Sequence, residues 1–188
     1  MTIRLTKIYT KTGDEGITSI ANNERVHKIS PLIQAVGDID EANSAIGLIT
    51  GHGNQDIFDQ IQNHLFDLGA DLVGSNNFKI TQNHIDILET YIDGTNALLQ
   101  PLDSFVLPTG QIHFARTVVR RAERSVWMAI EIHEFNDNMT INRMIPKYLN
   151  RLSDLLFVMA RYYNKGNEKL WVQDTSTTVP SSNDSSHL

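Results

Sequence analysis

Three arginines, Arg116, Arg120 and Arg124, follow one another at four-residue spacings in the run Ala115-Arg116-Thr117-Val118-Val119-Arg120-Arg121-Ala122-Glu123-Arg124. A helix advances about 100° per residue, which places Arg116, Arg120, Glu123, Arg124 and Trp127 within an arc of roughly 100°. Ala115, Val118, Val119, Ala122, Val126, Ala129 and Ile130 occupy a separate apolar arc, and Arg121 stands apart from the cluster. Like charges at this spacing repel by about 0.2–0.5 kcal/mol per pair unless an anion answers them. Because the guanidinium fork matches carboxylate or phosphate oxygens two at a time, the face suits a polyanionic ligand or an acidic partner. The plainer alternative is a solvated helix face held by local Arg–Glu pairs.

A second group with chemical potential is Thr10-Lys11-Thr12-Gly13-Asp14-Glu15-Gly16-Ile17-Thr18-Ser19. Its glycines let backbone amides approach a ligand, and its hydroxyls and lysine are donors suited to phosphate oxygens. The spacing is not that of a Walker A loop, and by itself such a stretch also fits a surface turn. Gly51-His52-Gly53 reads as an interhelical turn. The chain has no GxSxG or HExxH run, and its histidines lack ligand spacing, so His113 reads as a helix-start or packing residue. An enzyme of this kind would work by positioning and charge stabilisation.

Helices must position these groups. Pro31 opens the first, where a proline is tolerated, and Leu32, Val36, Ile39, Ala42, Ile46 and Ile49 form its apolar stripe. Ile57, Ile61, Leu65, Leu68 and Leu72 mark a second; Ile85, Leu88 and Ile92 suggest a shorter third. A long connection over residues 94–110 precedes a fourth helix near 112–133 and a fifth near 143–164. On the fifth, Asn150, Asp154, Phe157 and Arg161 share one arc, opposite Leu149, Leu152, Leu155, Leu156 and Met159. That polar stripe either faces solvent or lines a cleft with the arginine helix. Residues 1–30 read as a loop with a short extended piece at 8–10. Residues 174–188, rich in Ser and Thr, read as a disordered tail. The expectation is all-α, a five-helix bundle within one domain spanning 1–173.

Composition narrows the classes. The 188 residues carry a net charge of −6, which disfavours general nucleic-acid or anionic-membrane binding. The absence of cysteine excludes disulfides, thiolate catalysis and Cys-ligated metals. No apolar window is long enough to span a bilayer, and the first residues lack a secretory h-region, so a cytoplasmic location is the default expectation.

Five blocks, in order, then carry a resemblance. They are Tyr9-Thr10-Lys11-Thr12-Gly13-Asp14-x-Gly16, Val36-Gly37-x-x-Asp40-Glu41-x-Asn43-Ser44-x-Ile46-Gly47, Phe105-Val106-Leu107-Pro108, the Arg116–Arg124 run, and Tyr148-Leu149-Asn150-Arg151-Leu152-Ser153-Asp154. Together they resemble the ATP:cob(I)alamin adenosyltransferases of the propanediol-utilisation type, over residues 8 to about 165.

The resemblance implies a homotrimer of five-helix bundles that binds ATP between subunits. It implies transfer of the 5′-deoxyadenosyl group to the cobalt of cob(I)alamin with release of triphosphate, Mg²⁺ accompanying the triphosphate on unnamed ligands. Cobalt(I) is itself the nucleophile. Thr10, Lys11, Thr12, Gly13, Thr18, Ser19 and Lys28 then hold the nucleotide. Arg120, Arg124 and Glu123 do the catalytic work at the triphosphate, with Arg121 and Asn150 among the nucleotide contacts. Asp40 and Arg116 match an inter-subunit pair, Asp154 shapes the site, and Phe105 packs against the corrin and keeps a lower ligand off cobalt. The implied partners are its own copies, a corrinoid reductase and an adenosylcobalamin-dependent enzyme. The segment Pro108-Thr109-Gly110-Gln111-Ile112 is several residues shorter than the family's. That difference favours an alternative in which the fold serves as an ATP- or corrinoid-binding carrier or regulatory module.

Overall fold

The computed structural model describes residues 8–20, 24–53, 55–74, 77–136 and 140–173. It contains a short antiparallel hairpin, β1 (Ile17–Ser19) and β2 (Arg25–His27), and five helices. These are α1 (Pro31–Gly47), α2 (Gln55–Val73), α3 (Gln82–Asn96), α4 (Gly110–Asn136) and α5 (Met144–Asn164). The stretch expected to be a disordered tail, 174–188, lies outside the described residues.

Local chemistry sets the helix ends. Ser30 caps α1, its hydroxyl accepting the Ile33 amide at 3.3 Å, and Pro31 takes the first helical position. At α3 the His84 ring nitrogen accepts the Thr81 amide at 3.2 Å. This helix is longer than its apolar stripe suggests, because Gly94 stays helical and the Ala97 amide still reaches the Asp93 carbonyl. Lys165, in the left-handed region at φ 51°, ends α5.

Packing runs in the order α2–α1–α4–α5–α3, with a minor α2–α5 contact. The α4 helix is therefore clasped between α1 and α5. Its predicted apolar arc is buried in full: Ala115, Val118, Val119, Ala122, Val126, Ala129 and Ile130 are all 3% exposed or less. Polar locks fix the remaining helices. Asn43 and Gln62 exchange side chain-to-backbone bonds at 3.2 Å where α1 crosses α2. The buried Asp71 carboxylate accepts the Lys79 and Ile80 amides at 2.9 Å and the Asn142 amide group at 3.0 Å. It thereby ties α2 to the segments that lead into α3 and α5.

The hairpin departs from the expected loop. Ile17 pairs with His27, Thr18 with Val26 and Ser19 with Arg25, whereas residues 8–10 join no strand among the described residues. Three-residue strands are too short to leave a period of two in the sequence.

Candidate polyphosphate and corrin site

Burial of the apolar arc turns the arginine arc outward. Arg120, Arg124 and Trp127 are exposed, while Arg116 and Glu123 are half-buried along the α4–α5 seam. Arg116 lies over the Phe157 ring, 6.0 Å from its centroid, and its Nε is buried without a hydrogen-bond partner. Burial, and then the neighbouring Arg120 charge, hold its pKa below the ordinary guanidinium value. A cation held in this way gains from any anion that reaches it. His113, one turn earlier, is buried edge-on to the same Phe157 ring at 6.0 Å, which is the packing role expected of it. Burial, and then Arg116, lower its pKa.

Across the seam, Asn150 Nδ2 donates to Glu123 Oε1 at 3.5 Å, and Asn150 Oδ1 accepts from the Arg151 guanidinium at 2.8 Å. Arg151 is in turn held by Glu89 of α3 at 2.8 Å. Glu89, Arg151, Asn150 and Glu123 thus form one chain of bonds that ends on the arginine face. The α5 stripe divides. Asn150 and the half-buried Phe157 join the cleft with α4, and Asp154 is exposed beside them. Arg161 does not belong to this cleft: it is 7% exposed and bonded to Glu168 and the Gln100 carbonyl.

Arg121, which the resemblance places among the nucleotide contacts, pairs with α1 within the chain. Its NH2 meets Glu41, and its Nε lies 3.9 Å from Asp38, whose carboxylate also accepts the Ser125 hydroxyl. Asp40 is exposed on α1, and no ion pair joins it to Arg116 within the chain among the described residues.

The threonine–glycine segment is ordered by its own turns. Lys11 (φ 62°) and Gly16 (φ 76°) take left-handed conformations, the Gly16 amide donates to the Gly13 carbonyl at 3.2 Å, and the Lys28 amide donates to the Gly16 carbonyl at 2.9 Å. Thr10 and Thr12 share a hydroxyl–hydroxyl bond at 2.9 Å. The Lys28 side chain lies against Gly13, so the lysine, two threonines and the glycine form one donor-rich surface. Arg25, absent from the expected set, braces it by donating to the Thr12 carbonyl at 2.9 Å and reaching the Ser19 hydroxyl at 3.5 Å. Thr18 is half-buried on β1. Among the described residues, neither strand of the hairpin forms an extended contact with α4 or α5.

Phe105 is 79% exposed. It sits beside the bridge Val106–Leu170, its ring edge-on to Trp171 with centroids 6.3 Å apart. Trp171, like Arg25 and Arg151, is a site neighbour that spacing did not reveal.

Fold and site define a helical bundle whose longest helix presents an arginine face suited to a polyanion. The chain belongs to the cobalamin adenosyltransferase family, whose model matches residues 8–163. It is 47% identical over 192 residues to the corrinoid adenosyltransferase of Mycobacterium leprae (strain TN), spanning 91% of this chain and 98% of that one. It is 39% identical to the Homo sapiens corrinoid adenosyltransferase MMAB, spanning 92% of this chain and 76% of the human protein. Among solved structures it is similar to a single-residue variant of the PduO-type ATP:corrinoid adenosyltransferase from Lactobacillus reuteri in complex with cobalamin and ATP. The TM-score is 0.79 at 33% identity, with 89% of this chain and 100% of that chain covered.

Proposed function

We propose that this chain transfers the 5′-deoxyadenosyl group of ATP to the cobalt of cob(I)alamin. The cobalt(I) electron pair attacks C5′, a Co–C bond forms, the C5′–O bond breaks, and triphosphate leaves with that bond's electrons. The observation that carries this reading is the α4 face. Arg120 and Arg124 are exposed guanidiniums beside a Glu123 carboxylate held by Asn150, which suits the charge that grows on departing triphosphate. Thr10, Lys11, Thr12, Gly13, Thr18, Ser19 and Lys28 supply the second set of phosphate donors.

The site is completed between subunits of a homotrimer in this reading. The lack of extended contact between the hairpin strands and α4 among the described residues supports it, as do an exposed Asp40 and a half-buried Arg116 that form no ion pair with each other within the chain. Phe105 packs against the corrin face, and Asp154 shapes the pocket beside Asn150. Mg²⁺ enters with ATP, on the phosphate oxygens. Among the described residues no group of three or more His, Asp or Glu side chains is placed to hold a metal. No helix is long and apolar enough to cross a membrane among the described residues. A cytoplasmic setting, with a corrinoid reductase supplying cob(I)alamin and an adenosylcobalamin-dependent enzyme using the product, completes the proposal.

The carrier or regulator reading keeps one observation in its favour: Pro108-Thr109 runs directly into α4 at Gly110. Anaerobic incubation with reduced cobalamin and Mg-ATP separates the two. Adenosylcobalamin formed in equal amounts with triphosphate supports the transferase; ATP binding without either product supports the carrier.

A further inference from the structure

The chain does not end its ordered course with α5. Lys165 (φ 51°) and Gly166 (φ 79°) take successive left-handed conformations that turn the backbone away from the helix. Glu168 is then held by Arg161 Nε at 3.0 Å, both side chains being less than 10% exposed, while Arg161 NH2 donates to the Gln100 carbonyl at 2.7 Å. One buried guanidinium so ties α5, the returning chain and the α3–α4 connection together.

Beyond that clasp the chain runs antiparallel to the Phe105 segment. The Leu107 amide donates to the Lys169 carbonyl at 2.8 Å, and the Trp171 amide donates to the Phe105 carbonyl at 2.7 Å. The Ser104 hydroxyl donates to the Trp171 carbonyl at 2.7 Å. With Val106 opposite Leu170, Phe105 and Trp171 become directly opposed residues, whose side chains leave the ladder on the same side. That register explains the edge-on ring contact. An exposed phenylalanine has few neighbours to fix its rotamer, and here the indole provides one.

We infer that residues 168–172 form a strap, clasped by Arg161 and Glu168, in which Trp171 is a positioning residue that sets the Phe105 ring against the corrin. The inference rests on the proposed transferase reading, in which Phe105 keeps the lower ligand off cobalt. It assigns Arg161 and Trp171 to the corrin half of the site through Phe105 and gives them no contact with ATP.

The test loads the full-length protein with Mg-ATP and cob(II)alamin without oxygen and measures the four-coordinate fraction by absorption and electron paramagnetic resonance. Trp171→Ala lowers that fraction and kcat by about three- to tenfold, the range of one edge-on aromatic contact, while KM for ATP and Tm stay near wild type. Trp171→Phe restores most of the loss. Glu168→Gln, which keeps the side-chain volume, shifts the spectrum in the same direction to a smaller degree. A wild-type four-coordinate fraction in Trp171→Ala overturns the inference. So does a parallel loss of ATP affinity, Tm and four-coordinate species that Trp171→Phe does not rescue. A wild-type protein that makes no adenosylcobalamin removes the transferase reading and the strap's role with it.

Discussion

Lys28 occupies the space that a side chain at position 13 would need: a Cβ placed on Gly13 would sit 3.1 Å from the lysine Nζ and 3.2 Å from its Cε. The glycine is therefore what lets the ammonium lie over the threonine loop. Because the displaced atoms are the far end of a flexible side chain, Gly13→Ala moves Lys28 and leaves the backbone standing. The expected outcome is an ATP KM raised about two- to threefold, a charge-assisted hydrogen bond weakened by a small displacement of the ammonium, with Tm nearly unchanged. Steady-state kinetics and a thermal melt check it; an unchanged KM would remove Lys28 from the nucleotide site.

Arg120 and Arg121 are neighbours in sequence with different surroundings. Arg120 is exposed on the arginine face, whereas Arg121 pairs with Glu41 and approaches Asp38 on α1. Arg120→Ala is expected to lower kcat by about 10²-fold or more through lost stabilisation of the leaving triphosphate. Arg121→Ala loses a half-exposed ion pair worth at most about 1 kcal/mol and shows as a small drop in Tm with little change in turnover. Equal effects of the two on turnover would contradict the division of α4 into faces.

The contrast between α4 and α5 shows what periodicity can reveal. On α4, angle alone separated Arg120 from Arg121, because one apolar arc wedged between α1 and α5 fixes the rotation of the whole helix. On α5, Arg161 shares Asn150's arc yet serves a different structure. The two are 11 residues apart, about 16 Å along the axis, and angular position carries no information about which neighbour lies at which height. Arg25 and Trp171 were illegible for another reason. Each acts through a pairing of three residues or fewer, and such pairings leave no periodic trace.

A pH dependence arises from His64. Its Nδ1 lies 3.0 Å from the Tyr148 hydroxyl, its ring is edge-on to His84 at 4.8 Å, and Asp67 is the nearby carboxylate. Burial holds the Tyr148 proton in place, so the hydroxyl beside His64 stays neutral. Burial, and then His84, lower the His64 pKa from 6.5, with Asp67 opposing. The unfolded chain therefore binds more protons than the folded one as pH falls below 6.5, and stability declines there until the lowered folded pKa is reached. Above 6.5 the contribution is complete and flat. Tm should fall as the pH drops from about 6.5 toward about 5, within the range in which histidine charges. His64→Gln should flatten that fall in part, since His113 titrates in the same sense. An identical slope in the variant would rule out His64 as a source.

The chain of bonds from Glu89 through Arg151 and Asn150 to Glu123 predicts coupling between a residue on α3 and the nucleotide. Glu89→Gln weakens a partly exposed ion pair. At up to about 1 kcal/mol, against about 1.4 kcal/mol per tenfold, it should raise the ATP Kd by at most about fivefold. Asn150→Ala removes the donor to Glu123 and the acceptor of Arg151 together, and should raise Kd by about tenfold or more. If Glu89 acts through Asn150, its effect disappears in the Asn150→Ala background, and the double variant binds ATP no more weakly than Asn150→Ala alone. Isothermal titration with Mg-ATP on the four proteins measures the coupling directly. Additive losses would mean that Glu89 steadies α5 as a whole and that the bonded path carries nothing to the arginine face.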